Sequence, residues 1–325
     1  ESVDLMITSP PYPMIKMWDE IFGKQNPEIT EALNNKDGKK AFELMHRELD
    51  KVWKEVYRVL KNGGIACINI GDATRTINGN FQIYPNHARI LNYCLSLGFH
   101  ALPEILWIKS TNKPDKFMGS GMLPVGAYVT LEHEHILILR KNGKRIFGSQ
   151  REKENRRKSA FFWEERNEWF LDRWDDVNGV LQKLNNGESR ERSGAYPFEL
   201  VYRLINMFSI QGDTVLDPFL GTGTTTIGAI ATARNSIGVE IDESFKEIIF
   251  RRIRHALNAV NRYNETRIEN HKKFIEKRIK EKGQQKYINK NYNIPVVTRQ
   301  EIEIRIPILR SIREIEKNVF EAEYD

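Results

Sequence analysis

Thr8-Ser9-Pro10-Pro11-Tyr12 follows at once on an apolar run, Val3-Asp4-Leu5-Met6-Ile7, that reads as a short buried strand. Pro-Pro ends a ladder, because proline has no N–H and a fixed φ. It also stiffens a turn that carries a hydroxyl, an aimed backbone carbonyl and an aromatic ring. A second constellation lies some 200 residues on. The strand at Val215 runs into Asp217-Pro218-Phe219-Leu220-Gly221-Thr222-Gly223-Thr224-Thr225-Thr226, and a helix follows. A glycine-rich turn between strand and helix lets backbone N–H groups approach a ligand closely. It is not a Walker loop, which needs Gly-Lys-Ser/Thr, and it lacks the third glycine of a dinucleotide fingerprint. One strand later, Ser236-Ile237-Gly238-Val239-Glu240-Ile241-Asp242 sets Glu240 at a strand end, placed to take both hydroxyls of a ribose. An ordinary tight turn needs the glycines alone; Asp217, Gly221, Gly223 and Glu240 together ask for more.

The elements that must position these residues alternate. After the first strand, 13–40 reads as a long polar loop. Phe42 to Leu60 has helical apolar spacing, with Lys61-Asn62-Gly63-Gly64 as its glycine cap. Ile65 to Ile70 is a buried strand ended by Gly71-Asp72. Asn86 to Leu97 is a helix closed by Gly98, and Ala101 to Lys109 and Glu134 to Arg140 are further strands. From 141 to about 195 the periodicity degrades into charges and aromatics, and the segment reads as an insertion with its own small core. Then come a helix (Pro197 to Phe208), a strand (Thr214 to Phe219), a helix (Thr224 to Ala233), a strand (Ser236 to Ile241) and a helix (Glu243 to about Tyr263). Such alternation implies α/β architecture with a mostly parallel sheet covered on both faces. The tail holds a strand-like Ile302-Glu303-Ile304-Arg305-Ile306-Pro307-Ile308-Leu309 and a helix-like Arg310 to Glu323.

The 325 residues, 40% of them hydrophobic, suffice for a real core, and no apolar run approaches a membrane span. No signal peptide opens the chain and no initiator Met is present; an N-terminal piece is expected to precede residue 1. Cys67 and Cys94 sit in apolar contexts as small core residues, which points to a reducing, cytoplasmic setting. His133 and His135 alternate with Glu132 and Glu134, but no third ligand is evident, and no metal is expected. Asp72 either lines a pocket or caps its strand. The net charge of +6 is a mild bias. Within Lys246 to Lys290, 14 basic and 5 acidic residues give a local +9; within 141–195, 13 basic and 10 acidic give only +3.

Asp217 to Thr225 with Asn235 to Asp242 resembles the S-adenosylmethionine-binding motif of amino-group DNA methyltransferases, and Asp4 to Tyr12 resembles their catalytic motif. The order found here, catalytic motif first, an insertion, then the cofactor motif, resembles the beta arrangement of that family. The helix at Ser193 to Ile205 resembles the one preceding the glycine turn. The likeness covers most of 1–262 and leaves the tail unmatched. One departure is that the family carries a further strand and acidic residue ahead of the catalytic strand, which this sequence lacks.

The resemblance implies a Rossmann-like methyltransferase fold with a seven-stranded-type sheet. It implies a catalytic half at 1–140, a target-recognition insertion at 141–195, a cofactor half at 196–262 and a basic extension at 263–325. It implies S-adenosyl-L-methionine as cofactor, held by Thr8, Asp217, Pro218, Phe219, Gly221, Gly223, Thr224, Thr225, Glu240 and Ile241. It implies transfer of a methyl group to an exocyclic amine of a base flipped from double-stranded DNA, in a restriction-modification system with a cognate endonuclease, by a monomer or homodimer. Methylation at carbon 5 of cytosine needs a cysteine nucleophile beside proline, and neither cysteine has that context. An amine needs only to be held in line with the methyl, its lone pair turned by acceptors for its N–H groups. Ser9 and the Pro10 carbonyl supply such acceptors, Pro10 and Pro11 rigidity, and Tyr12 a stacking ring for the flipped base. Parallel topology brings adjacent strand ends to one crevice, so Tyr12 and Gly221 can share a site. Ser in the first motif position resembles cytosine-N4 enzymes, whereas Asp is commoner in adenine-N6 enzymes. Rival readings are an adenine-N6 enzyme, an RNA or protein amide methyltransferase, and a non-catalytic nucleic-acid-binding module. DNA contacts are expected from Arg156, Arg157 and Lys158 for base readout, and from Lys272, Lys273 and Lys277 for the backbone.

Overall fold

The computed structural model of the chain describes residues 1–109, 118–179 and 196–325. In chain order the elements are β1 (Val3–Thr8), α1 (Asp19–Gln25), α2 (Pro27–Asn34), α3 (Gly38–Val59), β2 (Leu60–Ile70), β3 (Ala73–Ile77), β4 (Asn80–Tyr84), α4 (Asn86–Leu97), β5 (Phe99–Ile108), β6 (His133–Lys141), α5 (Gln150–Lys158), α6 (Trp163–Trp169), β7 (Arg173–Trp174), α7 (Phe198–Phe208), β8 (Thr214–Asp217), α8 (Thr224–Ala231), β9 (Asn235–Gly238), α9 (Lys246–Arg254), α10 (Ala256–Lys282), β10 (Tyr287–Ile288), β11 (Pro295–Val296), β12 (Leu309–Glu316) and β13 (Val319–Tyr324). They gather into two compact units. One holds Glu1, Thr8–Gly143 and Asp172–Pro197; the other holds Ser2–Ile7, Lys144–Leu171 and Phe198–Asp325. Among the described residues no helix is long and apolar enough to cross a membrane.

In the first unit the strands run β7-β5-β6-β2. β6 pairs antiparallel with β2 and with β5, and β5 pairs parallel with β7. α3 buries Leu44, Met45, Leu49, Trp53 and Val56, one stripe at helical spacing. Its N-terminus is capped by Asp37, whose carboxylate accepts from Lys40 N at 3.0 Å. The expected glycine cap at its other end is not used: the helix stops at Val59, and Lys61-Asn62-Gly63-Gly64 already belongs to β2. The expected loop over 13–40 is corrected too. It contains α1 and α2, and Asn26 and Pro27 are the N-cap and first residue of α2, with Asn26 accepting from Glu28 N at 3.1 Å.

In the second unit β1-β8-β9 are all parallel, with Leu5 opposite Val215, Met6 opposite Leu216 and Asp217 opposite Gly238. The carboxyl ends of these strands therefore leave the sheet at one edge. The expected separate core for 141–195 is not found in the described part. Trp169 packs with Tyr202, Ile227, Ile249 and Val260, and Phe162 packs with Val296, Ile304 and Ile306. Residues 180–195 of that segment lie outside the described residues. α10 runs well past the expected end near Tyr263, because its buried stripe continues through polar residues, Asn264, Arg267 and His271. Each is satisfied: Asn264 accepts from the Tyr202 hydroxyl at 2.9 Å, Arg267 grips Glu165 at 2.5 and 2.8 Å, and His271 meets Glu164 at 2.7 Å. The tail is corrected as well. Ile304 and Ile306 are buried without joining a ladder, and the expected helix over 310–323 is the β12–β13 hairpin. Arg313 reaches across the hairpin to Glu321 and Glu323, pairs eight and ten residues apart that only a hairpin brings together.

One buried histidine makes the first unit acid-sensitive. His46 donates from Nε2 to Asn86 Oδ1 at 3.0 Å, since the Asn86 amide nitrogen is spent on the carbonyls of Pro13 (3.1 Å) and Gly71 (2.9 Å). Burial drives the His46 imidazole down to about 3, against the opposing hydrogen bond to Asn86. The unfolded chain takes up this proton below pH ~6.5 and the native state does not, so stability is lost as pH falls from there towards 3. At pH 5 the loss amounts to about 2 kcal/mol. Urea unfolding at pH 8 and pH 5 should show His46→Gln losing less stability on acidification than the wild type; equal losses would assign the acid limb to other groups.

Candidate active site

The Ser9–Tyr12 turn belongs to the first unit. Thr8, the last residue of β1, is fully buried. The Tyr12 hydroxyl donates to Glu134 Oε2 at 2.8 Å, and Asn69 Nδ2 lies 2.9 Å from the same hydroxyl and 2.7 Å from Glu134 Oε2. Ser9 Oγ stands 3.1 Å from the Tyr12 hydroxyl. Lys109 Nζ holds the other oxygen of Glu134 at 2.8 Å, with both side chains nearly inaccessible, at 5% and 4%. Burial first, and the Glu134 charge second, push the Tyr12 phenol well above its ordinary value, so it stays a proton donor. A Cβ on Gly71 would meet the Tyr12 ring at 3.0 Å, so glycine there lets the ring lie against the end of β2. The backbone beyond Tyr12 is held by Asn86 through Pro13 and by Met14, which has φ +67° and buries its side chain.

The second unit builds the glycine turn around two carboxylates. Asp217, fully buried at the end of β8, accepts from Phe219 N at 3.1 Å and from Thr225 Oγ1 at 2.5 Å. Glu240 accepts from Gly221 N at 2.7 Å and, on its other oxygen, from Asp242 N at 2.8 Å. Leu220 N bonds Val239 O, so the turn is laced to the chain leaving β9. Gly221 and Gly223 have φ of +55° and +84°. Pro218 and Phe219 are half-buried, and Ile241 is 77% exposed beside Glu240. Arg252 of α9 donates to Thr222 O and Oγ1 at 2.7 Å and to Thr224 Oγ1 at 3.2 Å. Burial lowers the Arg252 guanidinium from its ordinary value.

Asn69, Lys109 and Arg252 carry no signal in the sequence, and Glu134 stands out there only as part of a histidine-rich strand. That strand does find further partners. The ligand atoms of Asp72, His87 and His135 lie within 4.8 Å of one another, a third group that sequence did not reveal. Yet His87 Nδ1 meets Asp72 directly at 2.8 Å, and the His87 and His135 rings stack at 3.8 Å. Burial alone would raise Asp72, but its bonds to His87 hold it below the usual carboxylate range and lift His87 in turn. Of the residues expected to touch DNA, Arg156 lies over the Phe147 ring at 4.5 Å and Arg157 pairs with Glu303 at 2.7 Å. Lys158 is half-buried, and Lys272, Lys273 and Lys277 are exposed on α10.

A family model for DNA methylases acting at N6 and N4 positions matches residues 3–251, which spans both turns. The chain belongs to the amino-group DNA methylase family. Methylases of this family take the methyl group from S-adenosylmethionine. This methylase is 53% identical to the type II methyltransferase M.MthZI of Methanothermobacter thermautotrophicus over 100% of its own length and 90% of that protein. It is 52% identical to the type II methyltransferase M.MjaI of Methanocaldococcus jannaschii, over 78% of this chain and 86% of the relative. Among solved structures it resembles TTHA0409 of Thermus thermophilus, assigned as a DNA modification methylase and crystallised with S-adenosyl-L-methionine. There the identity is 33%, the TM-score 0.59, and the match covers 77% of this chain and 85% of the other. The α/β architecture expected from the strand–helix alternation, and the Rossmann-like methyltransferase fold that the resemblance implied, are thus borne out.

The two glycines of the turn differ in what surrounds them. A Cβ at Gly221 meets nothing within 4 Å, whereas at Gly223 it would stand 3.2 Å from Ile249 Cγ2. Left-handed backbone costs an L-residue about 1–2 kcal/mol. Gly221→Ala is expected to lose about that much stability and Gly223→Ala clearly more, as read by urea unfolding; equal losses would show that Ile249 moves aside freely.

Proposed function

We propose that this methylase modifies cytosine at N4 within a specific duplex sequence, as the modification half of a type II restriction-modification system. The observation that supports it is the Ser9–Tyr12 turn, which offers oxygen acceptors and no thiol. Cys67 and Cys94 are buried in β2 and α4, and burial raises both thiols, Cys94 to about 12. A covalent route to carbon 5 has no nucleophile here, while an exocyclic amine needs acceptors for its two N–H groups. Ser9 and the Pro10 carbonyl fill that role in this reading, Pro11 keeps the turn rigid, and Tyr12 lies along the base. The serine in the first motif position, together with relatives named as type II methyltransferases, favours cytosine and a restriction-modification setting.

The second unit fits the cofactor. Open space at Gly221 lets a ligand approach the backbone, and the Glu240 carboxylate, half-buried, keeps lone pairs for ribose hydroxyls beyond its two N–H bonds. Asp217 and Thr225 shape the turn from beneath, with Pro218, Phe219, Gly223, Thr224 and the exposed Ile241 completing the second unit's part of the proposed binding set. When bound, S-adenosylmethionine supplies an electrophilic methyl on a sulfonium. The protein's own contribution is to hold the amine, turn its lone pair and keep water away from it.

Nucleosides from DNA incubated with the protein and S-adenosylmethionine test this by mass spectrometry. N4-methylcytosine is expected; N6-methyladenine would overturn the cytosine assignment, and 5-methylcytosine or unmodified DNA the amine assignment. Within the same experiment, Glu240→Ala should weaken S-adenosylmethionine binding by about 10–100-fold, and Ser9→Ala should leave that affinity intact while turnover falls.

Lys272, Lys273 and Lys277, exposed along α10 in the +9 stretch, are proposed to touch the phosphate backbone. Base readout is proposed for Arg156, Arg157 and Lys158, although Glu303 already engages Arg157. Neutralising the three lysines should weaken binding to all duplexes alike and flatten the salt dependence by roughly 0.9 for each phosphate no longer engaged. An unchanged slope would make that face of α10 merely solvated.

A further inference from the structure

The hydrogen bonds around Tyr12 have only one consistent direction. Lys109 has donors and no acceptor, so it pairs with Glu134 as a carboxylate, and a carboxylate only accepts. Glu134 Oε2 therefore receives both Tyr12 O–H, at 2.8 Å, and one N–H of Asn69, at 2.7 Å. Asn69 is thereby oriented with its amide nitrogen towards Glu134, and its second hydrogen goes to the Tyr12 oxygen at 2.9 Å. Tyr12 has a single proton and it is spent on Glu134. The 3.1 Å contact between Ser9 Oγ and the Tyr12 oxygen must then be Ser9 donating. Ser9 has no proton left, and its lone pairs are what it can present; the 3.5 Å approach of Asn69 Nδ2 takes little from them.

We infer that the buried Lys109–Glu134–Tyr12 chain locks Ser9 as an obligate hydrogen-bond acceptor, and that this polarity selects a target base bearing an amino group over one bearing a carbonyl oxygen at the same place. Glu134 acts here as a positioning residue, through Tyr12, and the inference rests on the proposed role of Ser9. An exocyclic amine has N–H groups to give to such an acceptor. A carbonyl oxygen has only lone pairs, and would face those of the half-buried Ser9 at close range, acceptor against acceptor. The high phenol value of Tyr12 supports the lock, since the proton stays on the ring oxygen across the working pH range.

The lock makes an unusual demand of its variants. In Glu134→Gln the amide can give its oxygen to Lys109 and its two N–H groups to the Tyr12 oxygen and to Asn69, whose amide turns over to present its oxygen. Tyr12 then turns its proton onto Ser9, and Ser9 presents O–H instead of lone pairs. In Tyr12→Phe the chain is cut and Ser9 rotates freely. The experiment compares wild type, Glu134→Gln, Tyr12→Phe and the double variant. It uses the protein's own methylated duplex and a duplex in which the target amino group is replaced by a carbonyl oxygen, uracil for cytosine or hypoxanthine for adenine. Binding of both duplexes and single-turnover methyl transfer are measured with S-adenosylmethionine affinity as the control on folding.

The expected result is a wild type that prefers the amino duplex. Glu134→Gln should shrink that preference by about tenfold or more and slow methyl transfer by about 10–100-fold, with S-adenosylmethionine affinity unchanged. The double variant should be no worse than Tyr12→Phe alone, because Glu134 acts only through Tyr12. If Glu134→Gln weakens both duplexes equally, or the two substitutions simply add, Glu134 is structural and the inference is overturned. If Glu134→Gln does not fold, Tyr12→Phe decides: an unchanged preference between the duplexes in that variant overturns it. Failure of the proposed function looks different, since the wild type itself would then transfer no methyl group to a DNA amine.

Discussion

A carboxylate buried to within a few per cent of complete inaccessibility cannot keep its charge without a partner, and Glu134 has Lys109 at 2.8 Å. Removing one member of such a pair leaves the other stranded, a penalty of about 3–5 kcal/mol. The pair exists because β5 and β6 are held in one register. Trp107 lies opposite Glu134, and Lys109 N bonds Glu132 O at 2.8 Å just beyond the last paired residues. A slip of one residue would turn Glu134 to the other face of the sheet. The orientation of the Tyr12 hydroxyl thus depends on strand pairing far away in sequence.

The second unit solves a similar problem differently. Asp217 is as deeply buried as any residue in the chain, and its partners include a backbone N–H and a threonine hydroxyl, both uncharged. Such neutral donors fix a turn without adding a long flexible side chain, which suits a loop whose backbone must be approached closely. Arg252 then ties the outer carbonyl and hydroxyls of the same turn to α9. Each unit thereby carries a preorganised polar centre supported from below by its own elements.

The local parts of these centres were legible in the sequence. Ser9 to Tyr12 and Asp217 to Thr225 are contiguous, and glycine, proline and strand ends mark them. Glu240 was legible because it follows one strand later. Glu134 and Asn69 were not, since they meet Tyr12 across 122 and 57 residues and only strand register brings them there. The full length of α10 was hidden for a different reason: its buried face continues in Asn264, Arg267 and His271, which periodicity of apolar residues cannot detect. The β12–β13 hairpin reads as a helix in sequence because it is rich in Glu, Lys and Arg, good helix formers whose cross-strand pairing sequence does not reveal. Phe162 and Trp169 of the insertion gave no clue to their buried partners, which come from 202–309.

Glu240 has one more implication. A glycine turn opening a helix resembles a phosphate cradle, yet here the N–H of Gly221 is already given to a carboxylate 2.7 Å away, and a second N–H, from Asp242, to the same group. A phosphate brought to this turn would meet a fixed negative charge and one fewer free donor. On the proposed role of Glu240, a phosphate placed directly on this turn is disfavoured by the same carboxylate that is proposed to take a sugar's hydroxyls. On the same reading, a nucleoside carrying a positive charge meets no such repulsion at the turn, so electrostatic sign joins shape in what the turn accepts.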